Sequence, residues 1–431
     1  MIEEKLYVRP DVFEKYNTAM KHDYFSSAPL KVKEISEGIV LPSISFTDGQ
    51  GFERYKGGVV NDIGQFVNES AHYREKIGAF WGSLIEGYKP QPKIEYDERE
   101  VIYGGLIFEH FGHFLIESTG RLWYYLQNGK NHPVAFVAPG KVKKFVYEFL
   151  ELIGLKKENI IIIKKPVRFK KIIVPQSSFA IRNYFTKEFI LPYQNNKAPA
   201  NSIKRIYLTR TKFKNGPKTF GEEILEKAFA DNGYKIIAPE LLSLKEQIAY
   251  IKGAESIAGI MGTATHLALF AKPGTELILI NRSDDLNNNQ IMVNQAASLT
   301  VCRVDGHLNF LPTSHTDGPF VMGITDCLLQ LFKDKNYKID DFKLNYLKQS
   351  SIKLILNEWL RIYSRGHEHQ WLPEAFQPYT LKAAACIRVI PEKRKWFHLI
   401  YYKEKTLTHK IFTICGLKIS FKRKAKSKID N

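Results

Sequence analysis

The chain has 431 residues, of which 44% are hydrophobic and 25% are charged, and its formal net charge at pH 7 is +18. This length exceeds the size at which one hydrophobic core stops growing, so two domains with extensions are expected in a protein of ordinary soluble composition. The positive charge predicts an anionic partner, which is nucleic acid, a phosphorylated small molecule, an acidic polymer or a membrane surface.

Cysteine usage and hydropathy narrow the class of protein further. The four cysteines, Cys302, Cys327, Cys386 and Cys415, lie far apart without a C-x-x-C pair, which argues against a disulfide framework and a zinc site. The N-terminus is charged and has no apolar signal-peptide core, and no window reaches the roughly 18 apolar residues of a membrane span. A cytoplasmic protein is expected.

The first hundred or so residues carry short strand-like runs between Pro, Gly and Asp, which predicts a small β-rich region. Residues 101–107 predict a strand that enters a Gly-rich turn, and a helix is predicted from about Phe111 because apolar residues recur there at helical spacing. Further strands are predicted at residues 133–138, 160–163 and 171–175, with a helix at residues 142–152.

A polar, proline-containing segment at residues 193–202 is the predicted linker, and a second alternating set follows it. Its strands are predicted at residues 205–210, 235–238, 256–260 and 276–280, and its helices at residues 221–231, 244–251 and 265–270. Alternation of this kind implies parallel strands with right-handed crossovers. An α/β fold with two doubly wound domains facing a ligand-binding cleft is therefore expected.

The predicted division gives an N-terminal α/β domain at residues 1–195 and a second domain at residues 196–330. Residues 331–431 are expected to form a helical extension, including an amphipathic helix at residues 352–363, and a basic tail.

Residues 103–126, YGGLIFEHFGHFLIESTGRLWYYL, concentrate polar groups in an otherwise apolar segment. Buried polar groups cost free energy unless they are paired or used, so this segment is the first candidate for chemistry. His113 and Glu117 are four residues apart and share a helical face, and His110 precedes them by one turn. Three interpretations stay open: a metal site, a general base made of a histidine and a carboxylate, or a structural pair beneath Trp123.

Two features of the second half suit a phosphate. Residues 259–266, GIMGTATH, predict a strand, a Gly-rich turn and a helix start, where free N–H groups attract anions; a plain structural turn is the alternative. The spacing is neither G-x-G-x-x-G nor a P-loop. Arg210 closes its strand at the carboxyl end and suits bidentate phosphate binding. The lysines that follow, Lys212, Lys214 and Lys218, extend this clamp or form a solvated loop.

An ordered set of motifs carries a family resemblance. The motifs are HFGHFLIESTGRLW at residues 110–123, RIYLTR at 205–210, GEE at 221–223, SLKEQI at 243–248, GAESIAGIMGTATHLALF at 253–270, KPGTE at 272–276 and NNQ at 288–290. Together they resemble the glycosyltransferase 61 family, including its bacterial branch. The family usually has an Asn-Glu pair where this chain has Gly221 and Glu222, so less weight falls on Glu222.

This resemblance implies a GT-B fold and an inverting sugar transfer that requires no metal and no cofactor. A nucleotide sugar, expected to be a uridine diphosphate sugar, is implied as the donor on the C-terminal domain, with the acceptor on the N-terminal one. The candidate catalytic residues are His110, His113 and Glu117, and the candidate donor-binding residues are Arg210, Lys218, Gly262, Thr263, Thr265, His266 and Glu276. Glu117 is expected to be the base, through or beside His113.

The segment from residue 393 onward alternates Lys and Arg with apolar and aromatic residues. Such a segment suits an anionic membrane surface, and a solvated tail is the alternative. The expected function is bacterial capsule or lipopolysaccharide synthesis at the inner face of the cytoplasmic membrane, on a glycan or lipid-linked glycan. The alternatives are a non-catalytic nucleotide- or sugar-binding module and a basic nucleic-acid-binding protein, although no nucleic-acid-binding motif is present and nucleic acid is not an expected partner.

Overall fold

The computed structural model describes residues 4–49, 51–74, 81–90, 93–213, 218–308, 313, 316–338, 354–355, 357–359 and 361–362, and the backbone of residues 345–348, 387–390, 401–405, 409–414 and 417–422. The strands are β1 (Lys5–Tyr7), β2 (Val32–Ser36), β3 (Ile39–Thr47), β4 (Glu53–Val60), β5 (Leu84–Glu86), β6 (Glu95–Leu106), β7 (Val134–Val137), β8 (Ile160–Ile163), β9 (Val167–Pro175), β10 (Phe179–Ala180), β11 (Tyr184–Phe185), β12 (Arg205–Leu208), β13 (Thr219–Phe220), β14 (Lys235–Ile237), β15 (Ser256–Ile260), β16 (Glu276–Asn281), β17 (Thr300–Asp305), β18 (Phe320–Val321), β19 (Asn345–Lys348), β20 (Ile387–Ile390), β21 (Tyr401–Lys405), β22 (His409–Ile414) and β23 (Leu417–Lys422).

The α-helices are α1 (Pro10–Met20), α2 (Phe111–His113), α3 (Leu122–Gln127), α4 (Lys144–Leu152), α5 (Leu191–Gln194), α6 (Glu222–Ala230), α7 (Leu244–Gly253), α8 (Asn288–Ala296) and α9 (Asp326–Asp334). A π-helical turn lies at Phe114–Ser118, and 3₁₀-helices lie at Asn68–Ser70, Lys157–Asn159, Lys187–Ile190, Pro239–Leu241 and Thr263–Phe270. Local sequence sets several of these boundaries. For example, α7 begins at a capping box, in which the Ser243 N–H donates to the Glu246 carboxylate at 2.8 Å and the Glu246 N–H donates to the Ser243 hydroxyl at 3.3 Å.

The first sheet has eight strands in the order β5-β4-β3-β9-β6-β7-β8, with β2 also paired to β9. Parallel pairing joins β6 to β7 and β9, and joins β7 to β8. Antiparallel pairing joins β2 and β3 to β9, and β4 to β3. The antiparallel part of the sheet therefore comes from the predicted β-rich N-terminal region.

The second sheet has six strands in the order β1-β17-β16-β15-β12-β14, and each neighbouring pair is parallel. The expected α/β class with parallel strands is confirmed. Strand β1 lies in this second sheet, with Leu6 paired to Arg303, although the sequence-based division assigned residues 1–195 to the first domain.

Alternation of side chains along the central strands divides the apolar interior into layers. In β7, Val134 and Phe136 belong to a core that contains residues of both sheets, whereas Ala135 belongs to a separate core of the first sheet. In β15, Ile257 joins the shared core and Ala258 joins a core of the second sheet. One continuous apolar layer therefore holds the two halves together.

The predicted linker is packed against the body of the protein. Tyr193 is buried, and its ring centroid lies 5.1 Å from that of Phe270. The Lys252 ammonium donates hydrogen bonds to the carbonyl oxygens of Asn196 and Ala198 at 3.0 and 2.9 Å. Satisfied backbone groups explain how a polar segment lies against the core instead of standing in solvent.

The described C-terminal part includes an antiparallel sheet of β21, β22 and β23 and a parallel pair of β19 and β20. Residues 354–355, 357–359 and 361–362 are helical, and Ile355 and Trp359 are buried. Within the described ranges, no helix is long and apolar enough to cross a membrane. Lys214, Cys386, Cys415 and the side chains of the tail beyond residue 393 lie outside what the structure describes.

Candidate active site

A cavity of about 970 Å³ lies where the carboxyl ends of the second sheet meet the segment that follows β6. Its wall includes a residue beyond the end of each of four parallel strands: Arg210 after β12, Pro239 after β14, Gly262 after β15 and Arg282 after β16. Residues 109–113 form the opposing wall. Ligands of parallel α/β sheets bind at this edge, so the predicted location is where the cavity lies.

The segment after β6 is helical but interrupted. Helix α2 passes into the π-helical turn at Phe114–Ser118, and α3 begins only at Leu122. The His110 ring caps α2, because its Nδ1 accepts the His113 N–H at 3.4 Å. A π-turn inserts a residue into a helix and is frequent at functional sites. The predicted helix therefore exists in pieces, which apolar periodicity alone did not indicate.

Glu117 lies behind the cavity wall and accepts hydrogen bonds from three side chains. Arg74 donates through Nε and Nη2 at 2.8 and 2.9 Å, His72 through Nε2 at 2.8 Å, and His113 through Nδ1 at 2.6 Å. Burial alone would raise the pKa of Glu117, but the charge of Arg74 and the hydrogen bonds from His113 and His72 hold that pKa well below its usual range. Glu117 is therefore an ionised carboxylate.

An ionised carboxylate accepts hydrogen bonds and donates none, which fixes the tautomer of its histidine partners. His113 therefore carries a proton on Nδ1, so in the neutral form of the ring the lone pair is on Nε2, and the ring lines the cavity. Glu117 itself is not among the lining residues. Glu117 is the base expected from the sequence, but the structure places the His113 ring at the cavity and Glu117 behind it.

The metal-ligand interpretation of these residues does not fit the arrangement. Both oxygens of Glu117 accept from Arg74, which places a cation where a metal ion would have to lie. His113 directs Nδ1 to the same carboxylate. Among the described residues, no group of three His, Cys, Asp or Glu side chains is arranged to hold a metal ion.

Two guanidinium groups flank the turn after β15. A Cβ at Gly262 would lie 3.1 Å from Nη1 of Arg210 and 3.1 Å from Nη1 of Arg282, so glycine permits both cations to approach the backbone. Burial lowers the pKa of Arg210, and burial followed by the charge of Arg210 lowers the pKa of Arg282 to about 9. Two like charges in a partly dehydrated site favour an anion between them.

The two predicted motifs meet at Gly112. A Cβ there would lie 3.1 Å from Cγ2 of Thr263 and 3.2 Å from Nδ1 of His266. Burial, and then the charges of His113 and His110, lower the pKa of His266 to about 3, so its ring is neutral at physiological pH. Partial burial, followed by the charge of His113, likewise lowers the pKa of His110 to about 4.

A comparison with protein families finds a match that includes both the segment after β6 and the turn after β15. Residues 111–278 match the model of the family described as Glycosyltransferase 61. This segment is a glycosyltransferase 61 domain. Glycosyltransferase activity, with a sugar donor and an acceptor as substrates, follows in general from this membership. A search of curated proteins finds no significant match to the chain.

Within the glycosyltransferase 61 domain, Thr265 shapes the turn and does not line the cavity. Its buried hydroxyl lies 2.7 Å from the carbonyl oxygen of Gly262 and 2.7 Å from Oε1 of Gln290, and it accepts the Gly262 N–H at 3.3 Å. Thr263 and His266 do line the cavity. The predicted turn is therefore present at the cavity, and Thr265 stabilises it from within through these hydrogen bonds.

Two predicted donor-binding residues point elsewhere. Lys218 pairs with Glu358 at 3.5 Å, and Glu276 accepts from the Ser256 hydroxyl at 2.7 Å and pairs with Lys335. Glu276 begins β16 opposite Ser256, at the amino edge of the sheet, whereas Gly262 follows the carboxyl edge. In the described part of the chain, neither Lys218 nor Glu276 lines the cavity, so the structure does not bring these two predicted residues to it.

Several site residues were missed from the sequence. Arg74 and Trp81 come from the β-rich region, where no periodicity or motif marked them. Arg282 follows β16 directly, so the rule that had singled out Arg210, a cation at the carboxyl end of a parallel strand, could have found it.

Proposed function

We propose that the chain transfers a sugar from a nucleotide diphosphate sugar to an acceptor hydroxyl, with inversion at the anomeric carbon and His113 as general base. The observation that carries this proposal is the orientation of His113. Its Nδ1 is held by ionised Glu117, and its ring shares one cavity with Arg210 and Arg282.

The donor diphosphate binds between Arg210 and Arg282 at the Gly262 turn. Guanidinium groups pair bidentately with phosphate oxygens, and their charge stabilises the diphosphate as it leaves. In an inverting transfer that requires no metal ion, these two cations supply the positive charge that stabilises the departing diphosphate. Neutral His266 and Thr263 complete the wall on this side.

The transfer is a single in-line displacement. The acceptor hydroxyl gives its proton to Nε2 of His113 while its oxygen forms a bond to the anomeric carbon. The bond from that carbon to the diphosphate oxygen breaks with its electron pair, and the nucleoside diphosphate departs. Glu117 stabilises the imidazolium that forms.

The wider setting of the proposal is a GT-B enzyme of bacterial surface polysaccharide synthesis. The half containing the first sheet, which takes residues 1–195 apart from the β1 segment, binds the glycan or lipid-linked glycan acceptor. The half at residues 196–330 takes the donor, a uridine diphosphate sugar.

The basic tail holds the protein at the inner face of the cytoplasmic membrane, which the net charge of +18 supports. Flotation with anionic liposomes tests this location, and equal flotation of a chain lacking residues 393–431 would refute it.

The catalytic proposal is tested by screening UDP-, GDP-, CMP- and dTDP-sugars for binding and slow hydrolysis, with NMR assignment of the anomer formed. His113→Ala should lower turnover at least about 100-fold without weakening donor binding, because a general base contributes that much to the rate. His132→Ala is the matched control, since this ring lies outside the cavity wall beside Glu100, at 3.9 Å.

Three outcomes count against the proposal. Near-native turnover by His113→Ala would remove His113 as base. Retention of the anomeric configuration would refute inversion. Tight donor binding without turnover on any glycan acceptor would favour a non-catalytic binding module instead.

A further inference from the structure

Trp81 is an exposed aromatic side chain on the His113 side of the cavity. It lines the wall and is 43% exposed. An exposed indole leaves a large apolar surface in water, which is informative when it faces a cavity with polar groups around it. Among the described wall residues, Phe213 is exposed as well, but it lies on the donor side, where the Arg210 guanidinium is 5.4 Å from its ring centroid.

The indole is held by the same arginine that holds Glu117. The guanidinium carbon of Arg74 lies 4.5 Å from the Trp81 ring centroid, and its Nη1 donates to the Trp81 carbonyl oxygen at 3.2 Å. Arg74 also makes the two hydrogen bonds to Glu117, which orients His113. The indole and the imidazole are therefore parts of one preorganised unit, with ring centroids 6.2 Å apart.

We propose that Trp81 is the stacking platform for the acceptor sugar. A pyranose ring has an apolar face of C–H groups, whose slight positive charge is attracted to the negative face of an aromatic ring. A sugar stacked on the indole presents a ring hydroxyl towards His113. The direction of transfer in this assignment rests on the function proposed above, whereas glycan binding at Trp81 is a separate property of the chain.

Saturation-transfer difference NMR without any donor measures this binding directly. The probes are methyl β-D-glucopyranoside, methyl β-D-galactopyranoside and N,N′-diacetylchitobiose, each at millimolar concentration. Native protein should saturate the C–H protons of one sugar face for at least one probe. Trp81→Ala should lower that signal about fivefold or more, and Trp81→Phe should keep part of it, because the interaction depends on a flat aromatic face.

Tyr147→Ala is the matched control, because Tyr147 is an exposed aromatic of α4 outside the cavity wall. It should match native protein. Thermal melts check that each variant is folded.

The proposal is overturned if Trp81→Ala keeps the native saturation signal, or if native protein saturates none of the three probes. If native protein binds no nucleotide sugar but its glycan signal depends on Trp81, the transferase proposal fails and the glycan platform stands.

Discussion

The ion pair of Glu117 and Arg74 allows a quantitative test of the site geometry. Glu117 and Arg74 are 5% and 3% exposed, and two hydrogen bonds of 2.8 and 2.9 Å join them. Removing one partner of a buried pair leaves an uncompensated charge and costs about 3 to 5 kcal/mol. Glu117→Gln leaves the Arg74 cation beside a neutral amide, and Arg74→Met leaves the carboxylate with histidine donors alone.

The double variant Glu117→Gln/Arg74→Met removes both charges, so its loss of stability should fall short of the summed single losses by about 2 kcal/mol or more. Urea unfolding of the four proteins measures this coupling. The exposed pair of Lys204 and Glu255, at 2.9 Å, is the matched control, and breaking it should leave the unfolding midpoint unchanged. Additive losses, or single losses below about 1 kcal/mol, would refute a buried and coupled pair.

Further predictions concern the anion site and pH. Gly262→Ala should leave the fold intact but weaken donor binding about tenfold in calorimetry, because its Cβ would displace two guanidinium groups that lie 3.1 Å away. Arg282→Lys should weaken nucleoside diphosphate binding about tenfold without changing nucleoside binding, since lysine lacks the bidentate fork; equal losses for both ligands would contradict this. Burial lowers the pKa of His266 to about 3. The contribution of the neutral ring to the free energy of unfolding is therefore complete above pH 6.5. It is lost as pH falls towards 3, by up to about 1.4 kcal/mol per pH unit. Thermal melts of His266→Gln between pH 4 and 7 should show a flatter pH dependence than native protein.

The strands that could be predicted from the sequence are those with unbroken apolar runs. The predicted strands at residues 160–163 and 256–260 coincide with β8 and β15. Every residue of β15 is buried, which favours an apolar run, whereas β8 is a half-buried strand at the end of its sheet. The interrupted helix after Phe111 could not be predicted in the same way. A π-turn changes the backbone hydrogen bonds without changing the apolar residues that form the periodicity.

The candidate site was predictable where a motif is local and not where contacts are distant. His113 and Gly262 stand in compact motifs, whereas Arg74 reaches Glu117 across 43 residues of the chain. Glu276 lies away from the cavity for a geometric reason. It belongs to a motif near the phosphate turn in sequence, but it starts a strand and therefore lies at the far edge of the sheet.

The placement of His113 relative to the Arg210–Arg282 pair depends on the absence of side chains at two glycines. Gly112 lets the histidine segment approach the Thr263 turn to a distance that a methyl group would fill, and Gly262 does the same for two arginines. The apolar core shared by both sheets lies beneath these contacts. Backbone approach and core packing therefore fix the position of His113 relative to the Arg210–Arg282 pair. In the transfer proposed above, this fixed arrangement would preorganise the base and the leaving group for an in-line displacement.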